Sequence, residues 1–77
     1  MAENDRFVVN HPNGWAVIGP GHDRPSSVHA TQAGAIEKAR GLIQSLGGGE
    51  LQVQGADGKW RLKDTIAPAK DPYPPKG

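Results

Sequence analysis

The 77-residue chain has no cysteine. No disulfide can staple it, and no thiolate is present to hold a zinc ion or an iron–sulfur cluster. A cysteine-free chain suits a reducing compartment, so the expected location is cytoplasmic. An excess of charge of one sign is also missing. Nine Lys and Arg stand against eight Asp and Glu, a net charge of +1. A dedicated nucleic-acid binder would be far more basic, and a nucleic-acid mimic far more acidic. No run approaches the roughly 20 apolar residues that span a bilayer, and the opening MAENDRF has no apolar stretch like that of a secretory signal. No membrane partner is expected. The length leaves room for one domain with one small core, which buries only about 60% of the unfolded surface.

What the chain does have is organised around one stretch, Thr31 to Leu46. Ala35, Ile36, Ala39, Leu42, Ile43 and Leu46 recur at the spacing of one helix face. At about 100° per residue they fall within an arc of roughly 120°, wide enough to cover a small sheet. Thr31 is a good N-cap, and Gly47 stands where a left-handed residue closes a helix.

Around this helix the pattern is one of strands and turns, consistent with eleven glycines and seven prolines. Residues 1–5 are polar and expected to fray. Arg6 to Asn10 and Trp15 to Ile18 flank His11-Pro12-Asn13-Gly14, which predicts a hairpin closed by a type I turn and a glycine bulge. Gly19 to Pro25 is a loop, and Ser26 to Ala30 a candidate third strand leading into the cap. Beyond the helix, Glu50 to Gln54 alternates polar and apolar, and Lys59 to Lys63 does so again after an Ala56-Asp57-Gly58 turn. Leu51, Val53, Trp60 and Leu62 are expected to face the helix, leaving the alternate residues to solvent. The two hairpins share an Asn/Asp-Gly turn followed by a Trp within two residues, which common turn rules explain without a duplication. Residues 67–77 hold four prolines and no periodicity, and are expected to be an extended tail. The predicted fold is α+β, in the order β-β-(β)-α-β-β: residues 6–66 form one antiparallel sheet with the helix, about 31–46, on one face.

The chain resembles a small uncharacterised bacterial and phage family, the domain of unknown function twenty-one-eighty-eight. The likeness rests on Asn13-Gly14-Trp15 with Val17, on Thr31 with Ala35, Ala39 and Arg40, and on the strand from Gly49-Glu50-Leu51 to Gln54. Asp57-Gly58, Asp64-Thr65 and the Asp71-Pro72-Tyr73-Pro74-Pro75 ending complete it, so it covers roughly residues 7–75. It implies no activity, because the family has none to transfer. More loosely, the element order is similar to the partial double-stranded-RNA-binding-like fold of HicB-type antitoxins, an architectural likeness that does not fix function.

Catalysis needs convergent groups held in a pocket. His11, His22 and His29 are eleven and seven residues apart and match no metal-site spacing, and Ser26, Ser27, Thr31 and Thr65 suit turns and caps. Gly19-Pro20-Gly21 lacks the Gly-Lys-Ser/Thr and the following helix of a phosphate loop. No catalytic residue, metal ligand or cofactor is therefore expected. Gln52, Gln54, Lys59, Arg61 and Lys63 form a candidate binding face of donors and cations. Single-strand readers also offer aromatics, however, and both Trp residues read as core. Gly34 and Gly41, placed opposite the apolar stripe, are candidate positions for close approach by another backbone. The tail with Tyr73 could dock on a partner or cover a sheet edge. The expected function is thus a non-enzymatic binding module. Its first-choice partner is a protein, either unidentified or a second copy paired through sheet edges or the glycine side of the helix. A backbone-directed nucleic-acid contact is the alternative.

Overall fold

The computed structural model describes residues 4–21 and 24–68. Six elements follow one another: β1 (Arg6–His11), β2 (Gly14–Ile18), β3 (Ser27–His29), α1 (Gln32–Ser45), β4 (Gly49–Gln54) and β5 (Trp60–Ile66). The sheet order is β3-β2-β1-β4-β5, and α1 crosses one face of it.

Both ends of α1 are built as its sequence predicts. Thr31 has extended backbone, φ −126° and ψ 153°, and its Oγ1 accepts from the Gly34 amide at 3.1 Å. That satisfies one of the amides a helix start leaves without a partner. At the far end Gly47 has φ +103°. Its amide donates to the Gln44 carbonyl, and the Gly48 amide donates to the Ile43 carbonyl at 2.8 Å. This paired closure needs a residue free to turn left-handed. Between the caps the helix has no acid in its first turn and no base in its last. Fourteen residues with two internal glycines would hardly persist alone, so packing holds the helix in place. Ala35, Ala39 and Ile43 are fully buried against Val8, Val17, Leu51, Val53 and Ile66, with Trp15, Ile36 and Leu42 packed around them. Leu46, at the end of the predicted stripe, is 45% exposed.

The sheet is mixed, where an antiparallel sheet is expected from the hairpin pattern. β1 pairs with β2, β2 with β3, and β4 with β5 antiparallel, but β1 and β4 run parallel through Arg6↔Leu51, Phe7↔Gln52 and Val8↔Val53. The cause is the helix. β1 and β3 point the same way, α1 carries the chain back across the face, and β4 must leave in the direction of β3 again. Its open neighbour is the free edge of β1, so it joins there in parallel.

A second difference lies in β5. Val53 opposes Leu62 but Gln54 opposes Trp60, so Arg61 is an extra residue in a β-bulge. Residues paired directly across a sheet share a face. The bulge therefore reverses the phase, and Trp60 goes to the face away from α1 instead of into the core. Leu51 and Val53 are buried as expected, whereas Leu62 keeps the helix side yet is 45% exposed, because α1 lies over β1, β2 and β4 and only grazes β5. The Asn4 side chain donates to the Leu46 and Gly48 carbonyls, and Asp5 is buried with Oδ1 accepting from the Glu50 amide at 2.9 Å. These two residues are tied to the helix exit and β4, within a segment where fraying is expected. The tail beyond Pro68 lies outside the described residues.

Candidate binding face

With α1 on one side, the other side of the sheet carries no covering element among the described residues. Register places Ile18, Phe7, Gln52 and Lys63 in one row across four strands of this open face. Val28, Ala16 and Val9 begin the next row, and Gln54 and Trp60 stand together at the β4–β5 end. Phe7 meets Trp60 edge to face, with ring centroids 5.9 Å apart and an interplanar angle of 61°. Such a pair adds about 0.5–1.5 kcal/mol beyond its buried area. Trp60 remains 51% exposed and Val28 41% exposed, and Ala16 is fully buried beneath its neighbours. Trp60 is the one aromatic more than half exposed among the described residues, with Phe7 against its ring and Gln54 paired across from it.

The five residues predicted from sequence are only partly brought together. Gln52, Gln54 and Lys63 share the open face by register. The Gln54 Oε1 is already occupied by the Asn10 amide at 3.0 Å, while its backbone carbonyl accepts from Gln32 Nε2 at 2.9 Å. Arg61, the bulge residue, pairs with Asp57 on the turn; both are well exposed, so the pair contributes little to stability. Lys59 and Lys63 are exposed and have no ion-pair partner among the described residues. Glu50, at the far end of the face, accepts from Thr65 Oγ1 at 2.7 Å. Phe7 and Trp60 are absent from the sequence-derived set. The five-residue connection from Gly55 to Lys59 leaves the register of β5 open, and no local residue marks the bulge.

The two helix glycines differ. A Cβ on Gly34 would meet Thr31 Oγ1 at 3.2 Å and His29 Cβ at 3.8 Å, so this glycine clears the cap and β3 within the domain itself. That corrects its expected place on a free outer side. Gly41 has nothing within 4 Å of such a Cβ and is exposed. Gly41→Ala is expected to raise stability by about 0.5–1 kcal/mol, read from the urea midpoint, because alanine costs less than glycine inside a helix. A drop in the midpoint would show that Gly41 serves the fold.

The described histidines do not converge. The His11 Nδ1 accepts from the Asn13 amide at 3.0 Å, and His29 Nε2 lies 2.8 Å from Ser27 Oγ. His11 pairs with Gly14 and His29 with Trp15, adjacent residues of β2 that point to opposite faces. His22 lies outside the described residues. No group of three or more His, Asp or Glu able to hold a metal occurs among the described residues. None of the described helices is long and apolar enough to cross a membrane.

A family model described as an uncharacterized protein conserved in bacteria (DUF2188) matches residues 6–66, which is the whole of β1 through β5. The match stops short of the proline-rich ending that the sequence resemblance includes. No curated protein and no solved structure matches. The likeness to HicB-type folds therefore rests on element order alone.

Proposed function

We infer that this chain, which belongs to the DUF2188 family, is a non-enzymatic binding module that meets its partner through the open face of the sheet. One observation carries the reading. The helix lies on one side, and the other presents a half-exposed Trp60 braced by Phe7, on a face that carries Val9, Ile18 and Val28 farther across the sheet. Leaving an indole in water forgoes the roughly 25 cal/mol per Å² that burial supplies. A partner recovers it, which is why aromatic anchors dominate recognition surfaces. The separation of His11 and His29 onto opposite faces supports a role without catalysis.

Sheet edges are less suited to pairing with a second copy. β3 has three residues, and β5 carries both a bulge and Lys63, devices that discourage edge-to-edge association. A nucleic-acid partner ranks below a protein only while both Trp residues belong to the core. Trp15 packs there, and Trp60 does not.

Photocrosslinking in cells tests the reading. A benzophenone amino acid is placed at Trp60 in one full-length chain and at Glu37, on the outer side of α1, in another. Macromolecular adducts are expected to come predominantly from position 60. Equal yields from the two positions, or none from position 60, would overturn the assignment of the face.

A further inference from the structure

We propose that the open face binds single-stranded nucleic acid, with Trp60 stacking on a base and Lys63 and Lys59 meeting the phosphates. The proposal deepens the binding-module reading and rests on it. Three observations converge on the β4–β5 end of the sheet.

The first is the indole itself. Sheets that read single-stranded RNA do so by stacking bases on aromatics displayed on an open face, because unpaired bases expose flat π-surfaces that a duplex conceals. Trp60 is half exposed on such a face, and Phe7 contacts it edge-on, holding the ring without claiming all of its surface. The second is charge. Lys59, Arg61 and Lys63 fall within five residues of β5 and its entry, flanking Trp60. Lys59 and Lys63 are unpaired among the described residues, and the only acid paired with this group is Asp57, on the turn. Of the described cations without an ion pair, Lys63 shares the open face with Trp60 and Lys59 precedes it in the chain, whereas Arg24 and Lys38 lie elsewhere; the charge at this end of the sheet complements a phosphate backbone. The third is polar capacity next to the ring. Gln52 shares a row with Phe7 and Lys63, so an amide with both donor and acceptor lies beside the stacking position.

Size argues against the main competitor, a second copy of the chain stacked face to face. Five strands of three to seven residues, about 3.3 Å per residue and about 4.8 Å apart, present a flat projected face of roughly 400–450 Å². Even with the relief that side chains add to this flat extent, two such faces would fall at the low end of the ~1,200–2,000 Å² of accessible surface that stable protein interfaces bury. A strand of a few nucleotides needs no such area, since each stacked base contributes on its own.

The test is a titration of the full chain with short oligo(dT) and oligo(rU), and with a duplex of matched length, at low salt. It is followed by amide and indole NMR and by fluorescence anisotropy, for the parent and for Trp60→Ala, Trp60→Phe and Lys63→Ala. Supporting results are single-strand preference and shifts at the Trp60 indole, Phe7, Gln52 and Lys63. Trp60→Ala should weaken binding ~5- to 150-fold, while Trp60→Phe, which keeps a ring, retains most of it. Log affinity against log salt should fall with a slope of about −1.4 to −2, two or three phosphate contacts at ~0.7 each, and Lys63→Ala should remove about 0.7 of it. Equal binding of the duplex, or affinity unchanged in Trp60→Ala, would reduce the contact to bulk electrostatics and overturn the proposal. No binding of either oligomer, with position-60 crosslinks going to a protein, would overturn the nucleic-acid assignment and leave the module reading standing. No binding and no crosslinks would end both.

Discussion

Ile43→Ala is expected to destabilise the domain by about 2–5 kcal/mol, the cost of removing most of a fully buried aliphatic side chain from a core that cannot collapse around the gap. A chain of this length has about 4–11 kcal/mol of stability in all. The substitution therefore removes a large share of the total, and a substantial unfolded fraction at 37 °C is the expected outcome. Ile43 is where three requirements meet. It is the last buried position of the helical stripe, it packs against the sheet, and its carbonyl accepts the Gly48 amide that closes the helix. Urea unfolding of Ile43→Ala beside Leu46→Ala measures this. Leu46 is nearly half exposed and should cost well under half as much. Similar midpoints for the two variants would mean that α1 does not sit on the sheet in this rotation.

Gly14→Ala carries the second large expected effect, a loss of at least about 2 kcal/mol. Gly14 has φ +132°, a backbone conformation that side-chain-bearing residues rarely adopt. An added Cβ would also stand 2.2 Å from the carbonyl oxygen of His29. That atom is backbone, so no rotamer change relieves the clash. β3 would have to move off β2, and β3 is only three residues long and leads straight into the Thr31 cap. Faster amide exchange in β3 and the first turn of α1, together with a lower urea midpoint, is the expected result. An unchanged exchange pattern across Ser27–His29 would show that β3 does not lie so close.

The two predictions differ in how far the sequence foreshadows them. Ile43 stands in a periodic stripe and is legible as a core residue before any fold is known. Gly14 is legible only as a turn glycine after Pro12-Asn13. The His29 carbonyl that makes it irreplaceable comes from another strand, fifteen residues away in the chain. The candidate face divides in the same way. Gln52, Gln54 and Lys63 follow from strand alternation, a property of neighbouring residues. Phe7 and Trp60, its centre, do not: alternation places Trp60 in the core and gives Phe7 no partner, because it cannot see an extra residue inserted opposite the partner strand.

Local chemistry thus determined the elements of this protein. The Thr31 cap, the Gly47–Gly48 closure, the helix stripe and the turn signals each act within a few residues, where sequence spacing and spatial spacing coincide. What only the tertiary structure decided is how those elements share their edges and faces. The parallel seating of β4 against β1 depends on the direction in which α1 returns the chain, and the outward turn of Trp60 on a one-residue slip between β4 and β5. Both are settled by pairing between segments distant in sequence, whose hydrogen bonds run through backbone groups that every residue carries alike.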